Sequence, residues 1–424
     1  MDGAGLTGPE AARRLLASAV LRRLASIWAG GQLFLTGGSL RDRLLRLPTR
    51  DLDLAVLGDA RPAAEALARE LGGRCFPLGR APLVTWRVSG GRFTLDLWSV
   101  EGDIEKDIRR RDFTVNALFW RLPRGPLLDL VGGLDDLEAG RIRVVRPENL
   151  AEDPLRVLRG ARLLATHPQL RLTADSERHL AEAAGGLHSV ASERIREELR
   201  ALLAGPGAER ALIAAFRIGA LAALLPAWGG YSHAAAVARI AGRLAHLGAS
   251  PGALGAGAGE VAPALLGAPA AGHPGDWDEA AAASALVGVG WPLRHAQRAA
   301  AAAALGERIL PALGSRTADL RALAVEAGET LAPALAWAVA RGAAAEPDTR
   351  AAGESLLRWA RRFAARPPLL SGEEVVRLLQ LPPGPARGTA VAALRLAQAR
   401  GEVRTSEQAR KFLFGTLQLT DNRR

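Results

Sequence analysis

One cysteine, one methionine and one tyrosine occur in 424 residues, and aromatic side chains make up only 4% of the chain. A single cysteine, Cys75, excludes a disulfide framework and a thiolate-based zinc site, and it suits a cytoplasmic protein. With so few aromatics, the cores must be filled mainly by Leu, Ala and Val. No apolar run reaches the roughly 18 uncharged residues that a membrane span needs, so no membrane association is expected. Patches such as "IGALAALLPAWGG", from Ile218, are short and glycine-broken and read as buried helix. The N-terminal "MDGAGLTGPEAARR" puts an acid and a turn before any apolar helix, so no cleavable signal is visible. Hydrophobic residues at 49% exclude wholesale disorder, and the length calls for two or more domains. The formal charge of +11 favours a polyanionic partner such as nucleic acid or nucleotide phosphates.

Residues 10–28 read as an amphipathic helix. A run of short candidate strands follows: "LFLT", "LDLAV", "LVTWRV" and "RFTLDLWSV", with a helix over about 60–71 between the second and third. "GGR", just before Phe93, reads as the hairpin turn joining the last two. Helical periodicity dominates from "NLAEDPLRVLRGARLLA" to the C-terminus. The periodicity thus gives an α/β head of roughly 140 residues followed by a helical remainder. Pro251 to Glu279 is rich in Gly, Pro and Ala and reads as a long loop or poorly ordered insert. Alanine-rich helices are expected between 280 and 345, with Ser371 and Thr405 as helix caps.

The chemistry concentrates in "FLTGGSLRDRLLRLPTRDLDLAV", Phe34 to Val56. Strand side chains alternate, so Asp51 and Asp53 share one face while Leu52 and Leu54 enter the core. Two carboxylates on one face repel unless a cation intervenes, and hard oxygen donors suit Mg²⁺. Asp96 in "FTLDLW" is the expected third member; if its strand neighbours that of Asp51, three carboxylates can hold two magnesium ions. A strand-edge Asp pair plus a capping Asp is the plainer alternative. Gly37, Gly38 and Ser39 precede a helix-like segment whose free amides could cradle a triphosphate, or could simply form a glycine-capped helix start. Arg41 would add positive charge there, and Asp42 could orient it or hold local backbone. The combination implies phosphoryl transfer.

These residues resemble the class II tRNA nucleotidyltransferase and bacterial poly(A) polymerase family. Gly37-Gly38, Arg41-Asp42 and Asp51-x-Asp53 are similar to its first motif, and "RRDFTVNAL", Arg110 to Leu118, to its second. "DLVGGLDDLEAGRIR", "EDPLRVLRGARLLA" and "SERIREEL" resemble three further motifs, in the family's order, over about residues 30–200. The resemblance implies an α+β fold with a polymerase-β-like nucleotidyltransferase head over 1–145, followed by an all-helical neck over 146–210 and an all-helical body and tail over 211–424. It implies growth of a tRNA 3′ end from CTP and ATP without a nucleic-acid template. Asp51 and Asp53 would bind the metals, and Asp96, expected from its strand position, would complete the catalytic, metal-binding set. Gly37, Gly38, Ser39 and Arg41 would surround the triphosphate, and Arg111, Asp112 and Asn116 would help form the nucleotide pocket. Asp153 and Arg156 would read the base, because Asp accepts from an exocyclic amine and an Arg fork donates to ring nitrogen or carbonyl. Glu152 would orient Arg156, Arg159 would contact phosphate or neck, and Asp42, Arg162, Glu193 and Arg194 would support the site. Asp153, Arg156 and Arg159 with Gly160 are expected on one helical face.

Two departures stand out. Many family members carry a long Arg- and Tyr-containing loop before the second motif, whereas "DLWSVEGDIEKDIRRRDF" crosses that interval in a few residues. The loop is linked in the family to switching from C to A addition, so CC-only or A-only addition is an alternative to full CCA addition. Arg46 stands where a glycine is usual. A poly(A) polymerase and an inactive RNA-binding scaffold are further alternatives; the second predicts loss of the acidic set, which is present. Monomer and homodimer remain equally open.

Overall fold

"LFLT" forms a four-residue strand, Leu33–Thr36 (β1), in which every residue is buried. It occupies the interior of a seven-stranded sheet and so has no polar face to show water. The structure is a computed structural model that describes residues 19–28, 31–49, 51–79, 84–90, 93–226, 231–250, 253–267, 278–313, 318–342, 346–381 and 384–421. The described chain divides into two compact units: Met1–Val190 with Arg217–Leu224, and Ala191–Phe216 with Leu225–Arg424.

In the first unit, helix Ala19–Ile27 (α1) is the described part of the expected N-terminal helix; the part before residue 19 lies outside the described residues. β1 runs straight into helix Gly37–Leu44 (α2), and strand Asp51–Leu57 (β2) and helix Ala60–Glu70 (α3) follow. Strands Arg74–Leu78 (β3), Thr85–Gly90 (β4) and Phe93–Val100 (β5) complete one side of the sheet. Helix Ile104–Arg109 (α4) leads to Phe119–Arg121 (β6) and Leu127–Leu128 (β7) on the other side. The sheet order is β3-β4-β5-β2-β1-β6-β7. Only β2 and β5 pair in parallel; the other neighbours are antiparallel. The expected β4–β5 hairpin is present, paired down to Gly90 opposite Phe93, with Gly91 and Arg92 of its turn outside the described residues. Strands β3, β6 and β7 are not among those expected from the sequence. These are short or edge strands; β3 contains Pro77, and β7 has only two residues.

Helix Gly133–Glu138 (α5) and strand Arg141–Ile142 (β8) link the sheet to the helices Glu148–Glu152 (α6) and Arg156–Thr166 (α7). Strand Arg171–Leu172 (β9) pairs in parallel with β8, and helix Ala174–Ala183 (α8) follows with Thr173 as its cap. The mixed head followed by an extensive helical region bears out the expected α+β class.

Among its described residues the second unit has helices and no named strand, and the alanine-rich stretch does form helices: Glu279–Gly288, Leu293–Ile309, Ala318–Ala327 and Leu331–Gly342. Ser371 makes a capping box with Glu374, and Thr405 accepts from the Gln408 amide. The expected loop after Pro251 needs correction. Ala253–Val261 is an α-helix, and Ala262–Gly267 continues it as a 3₁₀ turn; 268–277 lie outside the described residues. Tertiary packing overrides the low helix propensity of glycine here. A Cβ on Gly257 would stand 2.5 Å from the Ala332 carbonyl carbon, so glycine is what lets the two helices touch. Asp319–Gly342 is the one described stretch long and apolar enough to cross a membrane by length and composition. It contains a 3₁₀ turn at Gly328–Thr330, and Leu331, Ala334, Leu335 and Ala338 belong to the unit's core. It is a core segment of this unit.

Candidate active site

Strand register brings the expected residues together. Thr36 lies opposite Asp53 across β1–β2, and Asp53 lies beside Asp96 across the parallel β2–β5 pair. Leu52 and Leu54 are fully buried, whereas Asp51 is exposed and Asp53 half-buried, so the alternation inferred from sequence holds. An open cleft of about 350 Å³ is lined by Gly38, Ser39, Asp42, Thr49, Asp51, Asp53, Arg87, Thr94 and Asp96.

The glycine turn is built onto the carboxylate strand. Gly37 has φ +63°, and a Cβ there would stand 2.9 Å from Asp53 Oδ2, so conformation and space both demand glycine. Ser39 staples the turn down: its amide donates to Asp53 Oδ2 (3.1 Å), its hydroxyl donates to the Thr36 carbonyl (2.8 Å), and it accepts from the Asp53 amide (2.9 Å). Burial pushes the Asp53 carboxyl above the usual carboxylate range. The Ser39 amide and the Arg111 charge oppose that shift, and the neighbouring Asp96 adds to it. A cation at the cleft would relieve both the desolvation and the repulsion.

The third carboxylate, Asp96, stands beside Asp53 as expected and carries an ion pair besides. Both oxygens of Asp96 accept from Arg87, at 2.8 Å from Nε and 2.7 Å from Nη2. The reason is register: Arg87 stands directly opposite Asp96 in the antiparallel β4–β5 pair, so its fork closes on the carboxylate. Among the described residues, no group of three or more His, Cys, Asp or Glu side chains stands close enough together to hold a metal ion. Asp51, Asp53 and Asp96 all line the cleft, with Asp96 held in the ion pair with Arg87. The alternation of β4, which puts Arg87 on the same side as Thr85 and Ser89, was the signal for this arginine.

Behind the turn lies a buried polar layer. Arg41, only 6% exposed, donates to Asp42 Oδ1 (2.8 Å) and to the side-chain oxygen of Asn116. It therefore lies among side chains of the layer and is not one of the cleft-lining residues. Asn116 ends a 3₁₀ turn, Thr114–Asn116, and donates to Asp112 Oδ1 (3.1 Å), which also accepts from the Phe113 amide (2.8 Å). Burial alone would raise the Asp112 carboxyl; Arg159, Asn116 and the Phe113 amide outweigh it and leave the group below its ordinary value. Arg111 donates to Asp107 Oδ2 (2.9 Å), and its guanidinium lies 4.8 Å from the Trp98 ring and 4.9 Å from the Phe119 ring. Two aromatic faces and a buried carboxylate thus fix one cation.

The helix carrying the expected base-reading residues is tied to the same layer. Asn149 in α6 donates to the backbone carbonyls of Arg109 (2.8 Å) and Arg111 (2.7 Å), and its own carbonyl accepts from Arg156 (2.7 Å). Arg159 lies 3.2 Å from Asp112 Oδ2. The expectation that Asp153 shares a helical face with Arg156 is corrected. Asp153 ends α6 in extended backbone (φ −141°, ψ 90°), because Pro154 disfavours helix in the residue before it. Arg156, Arg159, Gly160 and Arg162 are on α7. Glu152 is exposed at the end of α6, and the hydrogen bond holding Arg156 comes from Asn149. Glu193 and Arg194 are exposed residues of helix Ser192–Ala204 in the second unit.

Both departures take definite form. Asp103 caps α4 through the Glu105 amide, so the short interval before the second motif is a turn and a capped helix. Arg46 has φ +58° and holds the turn that glycine usually forms. The Leu47 amide donates to the Asp42 carbonyl and the Arg46 amide to that of Arg43, the double bond pattern of a helix C-terminus.

Comparison with known proteins agrees with this geometry. The profile of the "Poly A polymerase head domain" matches residues 33–143, and that of the "Probable RNA and SrmB- binding site of polymerase A" matches 169–229. The CC-adding tRNA nucleotidyltransferase of Thermus thermophilus is 35% identical, over 90% of this chain and 93% of its own length. The A-adding tRNA nucleotidyltransferase of Deinococcus radiodurans is 33% identical, over 89% of this chain and 94% of its own length. Among solved structures, the CCA-adding enzyme of Bacillus stearothermophilus in complex with CTP matches with a TM-score of 0.72 at 21% identity, covering 99% of this chain and 100% of that one. Motifs, fold and full-length relatives agree, and the chain belongs to the class II tRNA nucleotidyltransferase and poly(A) polymerase family.

Proposed function

We propose that the protein adds CCA to the 3′ end of tRNA from CTP and ATP, without a nucleic-acid template. The observation that carries this reading is the register that sets the Gly37–Ser39 turn on Asp53, with Asp51 on the same strand face. In the reaction, the tRNA 3′-hydroxyl oxygen bonds to the α-phosphorus of the nucleotide, its proton passes to solvent, and the bond to pyrophosphate breaks. Gly38 and Ser39 present the start of α2 to the triphosphate. Arg111 carries positive charge close enough to Asp53 to influence its ionisation. Asp153 accepts from the exocyclic amine that cytosine and adenine share, while Arg156 donates to the ring. Arg159 and Asp112 hold α7 against the pocket, with Asn116 near the sugar or phosphates.

Family membership implies a divalent metal cofactor, and the oxygen donors on β2 favour magnesium. When bound by Asp51 and Asp53, magnesium would lower the pKa of the attacking hydroxyl and neutralise the departing pyrophosphate. Asp96 joins that set only by exchanging Arg87 for the cation. Residues 1–145 serve as the catalytic head, 146–210 as the neck bearing the base reader, and 211–424 as the body and tail that hold tRNA by shape and backbone. The reaction is assigned to the cytoplasm, in keeping with a chain whose one cysteine, Cys75, offers no disulfide framework.

A second reading, addition of CC alone or A alone, is favoured by the short capped helix between Asp96 and the second motif. The test is stepwise: tRNAs ending before CCA, after C and after CC receive each nucleotide singly with Mg²⁺. Full function gives two C additions, one A and a stop. Failure to extend the CC-ended tRNA with ATP selects CC-only addition, failure to add C to the two shorter ends selects A-only addition, and extension of no end rejects all three.

A further inference from the structure

The polar layer beneath the site forms a closed ring with a member that lies outside every family motif in this chain. From Arg159 the contacts run to Asp112, Asn116, Arg41 and Asp42, and Asp42 Oδ1 meets His167 Nε2 at 2.8 Å. His167 directly follows the last residue of α7, so the helix backbone from Arg159 to His167 closes the ring. His167 is 4% exposed, and its Nδ1 lies 2.8 Å from the Thr166 hydroxyl. Asp42 can only accept when ionised, and its pKa is lowered: the His167 hydrogen bond and Arg41 outweigh the opposing effect of burial. That puts a proton on Nε2. α7 is thereby held near its start through Arg159 and at its end through His167, and the second anchor is α2, the helix that begins with the Gly37–Ser39 turn.

We propose that His167 is a positioning residue for nucleotide selection: its Nε2–H bond to Asp42 sets the base-reading helix in register with the triphosphate turn. Base and triphosphate are joined through the ribose in one substrate and held by different helices, so a slip between α7 and α2 misplaces the base edge while the reacting phosphate stays seated. This inference rests on the reading of α7 as the base reader. Its signature is loss of discrimination with retention of chemistry.

The experiment measures kcat and KM for CTP and UTP on a tRNA ending before CCA, for wild type, His167→Ala and His167→Gln. Leu67→Ala serves as the stability control, since Leu67 is a fully buried residue of α3 outside the ring. The Ala variant should lower the CTP/UTP ratio of kcat/KM about tenfold, mainly through KM for CTP, with kcat for CTP within about threefold of wild type. Gln, which keeps a donor at the Nε2 position, should restore most of the ratio. A ratio in His167→Ala no lower than in Leu67→Ala overturns the proposal, as does a Gln variant as indiscriminate as Ala. Wild type that extends no tRNA overturns the functional reading itself; wild type that selects CTP beside an equally selective Ala variant overturns only the role of His167.

Discussion

The two units are stabilised by different means. All eleven buried polar or charged side chains among the described residues lie between Thr36 and Ser176, in the first unit. The second unit has no polar or charged residue buried to that extent among its described residues, and its core is mainly Leu and Ala with Trp337 and Ile309. Buried polar groups are costly unless each has its partner, so a layer holding Arg41, Asp112, Asn116 and His167 tolerates few arrangements. Small apolar residues impose close approach but no directional bonds. The first unit is built to hold charges at fixed positions, whereas the second is built to hold a shape.

The sharpest way to break this contrast is at the carboxylate strand. Asp53→Asn should cut nucleotide incorporation at least about a thousandfold while circular dichroism and tRNA retention on a filter stay close to wild type. Transfer within tenfold of wild type would remove Asp53 from the chemistry. In the second unit, Gly257→Val should destabilise by about 3 kcal/mol through steric overpacking against Ala332. Hydrogen exchange should localise that loss to the helices around Ala253–Val261, leaving protection of β1 and β2 unchanged.

Acid should separate the units next. Asp42 and Asp112 both titrate below the ordinary 3.8 in the folded protein. Each therefore contributes stability that is complete above the unfolded value and is lost as pH falls through the folded one. Protection in the first unit should fall below about pH 4, ahead of protection in the second. Simultaneous loss in both units would contradict the contrast. The smallest effect is at Arg46, whose left-handed backbone costs about 1 kcal/mol that glycine avoids. Arg46→Gly should raise the denaturant midpoint by a corresponding amount without altering nucleotide choice.

How much of this was legible in the sequence follows the same division. Asp51 and Asp53 were readable because alternation on a strand is local, and Gly37 because a turn has few other solutions. The alliance of Arg87 with Asp96 was not, since cross-strand register is set by chain segments that do not label their partners. Asn149 and His167 were missed for a related reason: each satisfies a group that is distant in sequence but adjacent in the fold. The helix at Ala253–Val261 was read as loop because glycine usually breaks helices. Only the facing helix reveals that its absent side chain is the contact.

The central claim is that Asp51 and Asp53 perform the transfer while Arg156 and Asp153 choose the base. The most direct test compares CTP and UTP incorporation by Asp53→Asn and Arg156→Ala on one tRNA ending before CCA. The account predicts that Asp53→Asn loses both nucleotides together, while Arg156→Ala keeps transfer and accepts UTP nearly as well as CTP. An Arg156→Ala enzyme that still rejects UTP, or an Asp53→Asn enzyme that still transfers CTP, would contradict it.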